Sequence, residues 1–486
     1  VSGIWTGVLL IAATAIVCGE SRGRGDRESD GGRDSALVYL DKTLVRARRA
    51  RPSSSTTVIE AGELSARYSD LPGMLERAAG LMIRRMGGYG EYADVSIRGA
   101  DARNARILLD GVPLNSAAGG AVDLGKLPVS ALHRIEVYKG AAPLSLLDNG
   151  GGAVINITTA PGTSFARLSL EGGSYGFFKG GAAARIHAGA INHRASIDYA
   201  NADNRYRYYH DNNTSLDSSD DRIAVKENAH VRQFSAMYAQ SAELSPALLL
   251  RASCSYAQSD KGIHIKEYAG EPQEASVMNR TAAGRLGLRW ECTPRLAATL
   301  RVTGRYARDR FEDPLGQVNV VGDSARKLLL TSDPALRARL LIEAGLPAGL
   351  SAAASAGAAG ERFTFDNALY EADDGGMAAS RVSAFAAFQT AFESRRLHAS
   401  IRYNHGYARE RSTFTDHPFQ SGDTQPPAHS HHPGGAARLR VRISDALAFD
   451  YDARYDSHPV SFADRYGFSR GAIGNPRLRA QRRLEH

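Results

Sequence analysis

From Val95 to Thr158 short apolar runs alternate with turn residues: VSIRG at 95–99, ILLDGVPLN at 107–115, RIEVYKG at 134–140 and GGAVINITT at 151–159. Runs of this length, rich in β-branched residues and closed by Gly, Asp, Asn or Pro, predict short strands joined by tight turns. TTVIEAGEL at 56–64 opens the same module, and LMIRR at 81–85 predicts another strand. Between them SDLPGMLERAAG at 69–80 has a helical period. Leu71, Met74, Leu75 and Ala78 share one face, Ser69 or Asp70 can cap the start, and Gly80 stops the run. GGYGEYAD at 87–94 and SAAGGAVDLGKLP at 116–128 predict exposed loops.

Beyond Pro161–Gly162 the pattern changes to alternating segments of about ten residues, the length of a tilted membrane strand. About 13 such segments can be picked out, running from near 164–172 to 446–457. In RLAATLRVTGRYAR, Leu296, Leu300 and Val302 fall on one face and Arg301, Thr303 and Arg305 on the other. Connections near 189, 242–246, 294, 346–348, 394 and 445 are short. Those at 202–229, 259–280, 309–334, 363–379, 409–433 and 458–486 are long. Short turns at one end and long loops at the other are what a membrane barrel requires, and a sandwich in water does not.

Composition narrows the choice. The 486 residues have a formal net charge of +8 and a mean hydropathy of −0.31. No apolar run is long enough for a helical span, but a barrel exposes only every second residue to lipid, so its hydropathy stays low. The arginines are spread along alternating strands among abundant Asp and Glu, which argues against a nucleic-acid partner. Cys18, Cys254 and Cys292 have no metal-ligand spacing, and no nucleophile triad, paired carboxylates or nucleotide loop stands out, so an enzyme is not expected.

Residues 4–17, IWTGVLLIAATAIV, have the length of a signal-peptide core, which predicts a removed leader over 1–21. Residues 22–55 are polar and predict disorder, with one β-prone island, DKTLVRA at 41–47. Such an island can add to the edge of a partner's sheet, since backbone hydrogen bonds supply the affinity.

The order helix, VSIRG, LLDGVPLN, LPVSALHRIEVYKG, GGAVINITT resembles the plug domain of TonB-dependent outer-membrane receptors, most visibly the siderophore and cobalamin transporters. The resemblance implies a mainly β protein with an α+β plug over 56–160. A partial antiparallel transmembrane barrel follows over 161–486, with about 13 of about 22 strands present. Because 474–486 resembles the motif that opens a mid-barrel strand in these receptors, a C-terminal truncation is expected. By the same resemblance, 41–47 is the TonB box, with Asp41, Thr43, Leu44, Val45 and Ala47 contacting the TonB–ExbB–ExbD complex. Arg46 stands where the family usually has a smaller residue.

Family plugs meet ligand through outward loops, which here implies Tyr89, Glu91 and Tyr92 in the first loop and Asn115 and Ser116 in the second. Arg98, Arg134 and Glu136 sit on plug strands and, as charges inside a barrel, are expected to dock against the wall. His417, His429, His431 and His432 are expected in one long loop. Four imidazoles there are weak candidates for a metal, and a polar surface loop is the plainer reading. The expected function is import of a scarce metal chelate: siderophore-iron first, cobalamin or haem next. It needs no resident cofactor, and the barrel's surroundings are outer-membrane lipid. A non-transporting surface receptor or adhesin, and an inactive truncated product, are the alternatives.

Overall fold

The computed structural model describes residues 56–60, 70–100, 102–127, 132–147, 153–159, 164–212, 214, 217–318, 327–367, 377–414, 425–444, 447–469, 472–473, 475 and 478–485. The expected leader, the segment 22–55 with its box at 41–47, and His417 lie outside the described residues.

The N-terminal module contains β1 (Thr56–Glu60), α1 (Leu71–Leu75), β2 (Leu81–Arg85), β3 (Ala93–Ile97), β4 (Arg106–Leu109), β5 (Val112–Pro113), β6 (Arg134–Tyr138) and β7 (Val154–Thr158). Five of its strands form a mixed sheet in the order β1-β6-β7-β4-β5, with β2 and β3 as a separate hairpin. Only β4 and β7 run parallel. Helix α1 is shorter than the 69–80 expected, but Asp70 caps it by accepting from the Gly73 N–H at 2.9 Å. Leu71, Met74, Leu75 and Ala78 all enter the core, against Val95, Ile107, Ile135, Val137, Ile155 and Ile157. Burial of each large side chain contributes about 1.5–3 kcal/mol. Asp110 and Gly111 form the two-residue turn of the β4–β5 hairpin, with φ of 49° and 78°. Both angles are positive, as the tight hairpin turn demands, and Asp-Gly is the dipeptide that tolerates it.

The rest of the chain is a wall. It comprises β8 (Phe165–Gly172), β9 (Phe178–Ala188), β10 (Ile191–Ala202), β13 (Val231–Ser245), β14 (Leu248–Gly262), β15 (Ser276–Thr293), β16 (Leu296–Asp313), β17 (Lys327–Gly345), β18 (Leu350–Asn367), β19 (Met377–Glu393), β20 (Leu397–Phe414), β21 (Gln425–Arg442), β22 (Ala448–His458) and β25 (Gln481–Glu485). They make one 14-stranded sheet, ordered sequentially from β8 to β25. Each strand in it pairs antiparallel with its neighbours. Two loop hairpins, β11 (Arg207–His210) with β12 (Arg222–Val225) and β23 (Gly467–Ser469) with β24 (Ala472–Ile473), and helix α2 (Phe462–Tyr466) project from its long connections.

One more strand is present than expected, because Gln481–Glu485 pairs with β22 inside the presumed last loop. The strands are also longer, 15 residues in β13 and 19 in β17. Pairing continues past the apolar stripe into polar sequence, which periodicity of apolar residues cannot see. In β16 the faces divide as the sequence predicts: Leu296 and Leu300 are exposed outward, while Thr303 and Arg305 are buried inward.

Candidate functional site

The wall grips the N-terminal module through main-chain carbonyls. Arg454 on β22 donates to Gly140 O at 3.0 Å, Arg438 on β21 to Ala141 O at 3.0 Å, and Arg402 on β20 to Ala142 O at 2.7 Å. Arg339 on β17 donates to Leu144 O and, at 3.1 Å, to Ser145 O, and Arg301 on β16 reaches Ser145 O at 3.2 Å. Between these arginines, Leu144 packs on Leu341 and Ala387. Segment 140–145 thus crosses the strands with a guanidinium on each carbonyl but that of Pro143, which accepts the Leu146 N–H at 3.0 Å. The β4–β5 tip docks likewise: Arg285 donates to Asp110 O, and the Asp110 carboxylate accepts from the Thr159 N–H at 3.0 Å and its hydroxyl at 2.5 Å. A hydrogen bond from a charged donor contributes about 1.5–3 kcal/mol. The void left beside Arg301, Arg339 and Phe385 is only about 20 Å³, roughly one water.

At the loop end of the wall the module presents two apical loops. The first, 87–92, opens on a cleft of about 450 Å³ lined by Met86, Glu91, Tyr92, Asp123, Lys126, Lys226, Lys261, His264 and neighbours. Lys226 pairs with Glu91 at 3.4 Å and Lys261 with Asp123 at 3.1 Å. Asp123 also accepts from the Ala93 and Gly125 N–H groups at 3.1 and 3.0 Å, which fixes its position. A Cβ on Gly125 would lie 2.4 Å from Glu91 O, so only glycine lets the two segments meet. Burial pushes the Tyr92 phenol up to about 12, helped by the nearby Asp94 carboxylate, so it stays a neutral donor. Burial lowers the His264 imidazole and favours its neutral form. Three lysines facing two carboxylates leave the cleft cationic.

The second loop, 115–120, is covered. Phe462 and Ala463 of α2 donate backbone N–H groups to Ala117 O and Ala118 O, both at 2.9 Å. Phe462 is fully buried with Tyr466 against Ala117 and Ala118. Arg103 holds Asp464 through both carboxylate oxygens, at 2.7 and 2.9 Å. Arg465 and Arg381 share Glu410, at 2.8 and 2.9 Å.

The structure therefore separates the expected ligand residues. Glu91 and Tyr92 line the cleft. Tyr89 packs at a tilt against Phe177 with ring centroids 4.7 Å apart, and burial raises its pKa. Asn115 spends its amide on Ile107 N, Ala105 O and Gly120 O, and Ser116 binds Asp333 beneath the α2 cover.

Two expectations need correction. Arg134 pairs with Glu60 at 2.8 Å and Glu136 accepts from Asn156 at 3.0 Å, both within the module. Arg98 is exposed in the turn after β3, with φ 51°. Wall docking belongs instead to Arg285, Arg301, Arg339, Arg402, Arg438 and Arg454. Their signal in the sequence was an arginine on the polar phase of strand after strand. His429, His431 and His432 lie on strand β21, not in a loop. Alternation then sends His429 and His431 to the outer face and His432 inward, where it is fully buried. No group of three or more metal-ligating side chains converges among the described residues. Cys254 and Cys292 lie on adjacent strands, but Cys254 faces Gly284, and both are free.

A mixed domain clasped by an antiparallel wall with an apolar outer face defines a plugged membrane barrel. Residues 48–154 match the TonB-dependent Receptor Plug Domain family. Over 108 residues the chain is 34% identical to the vitamin B12 transporter BtuB of Photobacterium profundum, covering 22% of this chain and 18% of that protein. Over 142 residues it is 35% identical to BtuB of Vibrio vulnificus, covering 28% and 23%. These matches span about a fifth of the relatives' length. In fold it is similar to the copper transporter OprC, with TM-score 0.70 and 13% identity over 89% of this chain and 70% of that one. It is also similar to the siderophore receptor PiuA of Acinetobacter baumannii, with TM-score 0.62 and 13% identity over 87% and 66%. The chain carries a TonB-dependent receptor plug within a partial β-barrel of the outer-membrane type.

Proposed function

We propose that this protein imports a scarce, negatively charged metal chelate across the outer membrane. The cleft formed by Glu91, Tyr92, Lys126, Lys226 and Lys261 receives it, and that cationic cleft at the plug apex is the observation that carries the reading. Lysines in a partly buried cleft favour anionic oxygen ligands, and a neutral phenol beside them donates a hydrogen bond without competing for the metal. A ferric siderophore fits this chemistry best. Cobalamin and haem are the next candidates, the former because BtuB proteins are among the sequence relatives.

Energy arrives through the box at 41–47, where Asp41, Thr43, Leu44, Val45 and Ala47 add a strand to a partner of the TonB–ExbB–ExbD type. Pulling there loosens the plug, and the wall arginines define what must be released. The test is uptake of labelled ferric siderophore and labelled cobalamin, with and without an uncoupler, in cells carrying the wild type, Leu44→Pro or Val45→Pro. The expected result is uncoupler-sensitive uptake that both substitutions abolish, with ligand binding at the cell surface intact. Uptake that survives both substitutions rules out this box.

A further inference from the structure

Arginines on the two faces of the wall are treated differently. Those facing the plug are bonded, as described for Arg285, Arg301, Arg339 and Arg402. Arg280, Arg308, Arg362, Arg409 and Arg411 point outward and are exposed. Among the described residues none of them has a carboxylate or hydrogen-bond partner.

Four of them share one height, and Arg411 lies one step above Arg409 on the same strand. Arg308 is twelve positions into the strand that starts at Leu296, Arg362 twelve into the strand from Leu350, and Arg409 twelve into the strand from Leu397. Arg280 is thirteen positions before Thr293, where its strand ends. Each strand is counted from its short-turn end. At about 3.3 Å per residue and a tilt of about 40°, this places the arginines about 30 Å above the turns, just beyond an apolar band about 25 Å tall. Below them the outer face carries Leu286, Leu288, Leu300, Leu336, Leu340 and Ile401, with Tyr306 at the boundary.

Arg280 and Arg308 also sit directly opposite each other across β15 and β16. Like charges so placed repel and destabilise the pair unless an anion lies between them.

We infer that this belt binds the phosphate groups of the glycolipid forming the outer leaflet, with Arg280 and Arg308 clamping one phosphate and Arg362, Arg409 and Arg411 forming a second contact. Tyr407, His429 and His431 supply polar and aromatic surface at or just below this level, with His429 directly opposite Arg409. Tyr407 meets His429 at 2.6 Å and His405 meets His431 at 3.1 Å. Charge complementarity and height together select a lipid headgroup over a soluble partner.

The experiment uses full-length protein in detergent, titrated with bisphosphorylated lipid A, with dephosphorylated lipid A and with inorganic phosphate, and read by native mass spectrometry. The wild type should retain the bisphosphorylated lipid, and Arg280→Gln/Arg308→Gln should weaken retention about 25-fold, from about fivefold per surface arginine. Arg409→Gln/Arg411→Gln is a second, independent variant with the same expectation. All these side chains point away from the plug, and an unchanged heat-modifiable band on gels confirms that each variant is folded. Equal retention by wild type and both variants, equal retention of the dephosphorylated lipid, or competition by millimolar phosphate alone overturns the inference.

Discussion

The two apical loops of the plug are built from similar sequence and meet opposite fates. Loop 87–92 is Gly-rich and ends beside an open, lysine-lined cleft. Loop 115–120 is just as small-residued, yet α2 sits on it and buries Phe462. Neither loop's own composition decides this. The first faces Lys226, which follows β12 in the β10–β13 connection, and Lys261 at the upper end of β14, and both lysines hold off at ion-pair distance. The second faces the β22–β25 connection, whose aromatic residues close down. A plug apex is thus open or shut according to the wall loop above it.

The strongest way to break this comparison is Phe462→Ala, which removes the anchor of the cover and costs its docking about 3–5 kcal/mol. With Cys254 and Cys292 replaced by Ser, Ala118→Cys should resist a thiol reagent while Phe462 is present and react in F462A. Equal labelling in both would show that α2 is not the cover. Next comes the open side. Lys226→Ala and Lys261→Ala should each raise the Kd of an anionic ferric chelate about 10- to 100-fold, the range for a charged hydrogen bond. Calorimetry against an uncharged analogue should show no such change. Arg103→Ala removes an ion pair whose side chains are 47% and 40% exposed, so it should loosen α2 by no more than about 1 kcal/mol. Its thiol-labelling rate should lie far closer to wild type than that of F462A.

The smallest expected effect is a pH dependence at the cleft. His264 donates to Glu227 O at 2.9 Å and accepts from the Tyr208 hydroxyl at 3.1 Å, and burial lowers its pKa. The unfolded segment, with the ordinary value near 6.5, then binds more protons as pH falls. Stability of the 263–268 loop is therefore full above about 6.5 and declines below it. The protection of that loop against hydrogen exchange, corrected for the intrinsic pH dependence of amide exchange, should fall between about pH 7 and 5, while the protection of 115–120 stays unchanged.

Much of this was legible in the chain. The Asp110–Gly111 turn, the Asp70 cap and the two faces of residues 296–305 follow from local chemistry that the fold does not override. The upper wall was hidden because Arg308, Arg310 and Glu312 continue β16 without an apolar alternation to mark it. The histidines read as loop because Pro433 and its neighbours discourage strand, yet Pro433 sits on the outer face of β21. Helix α2 was missed although it carried a signature. Ser461 accepts from the Asp464 N–H at 3.0 Å and donates to its carboxylate at 2.8 Å, a reciprocal cap readable as Ser-x-x-Asp. Asn115 shows the reverse error: an exposed-looking amide proved to be the internal tie of its loop.

The arginine contacts along 140–145 recognise carbonyl oxygens, which every amino acid carries. The wall therefore constrains the path of this plug segment far more tightly than its composition. Substitutions at Ala141 or Ser145 that keep the backbone course should pass almost unnoticed by the wall, whereas inserting or deleting a single residue would put every later oxygen out of step with its guanidinium. Plugs exchanged between related walls should be tolerated on the same terms: by matching length through this crossing, not by matching letters.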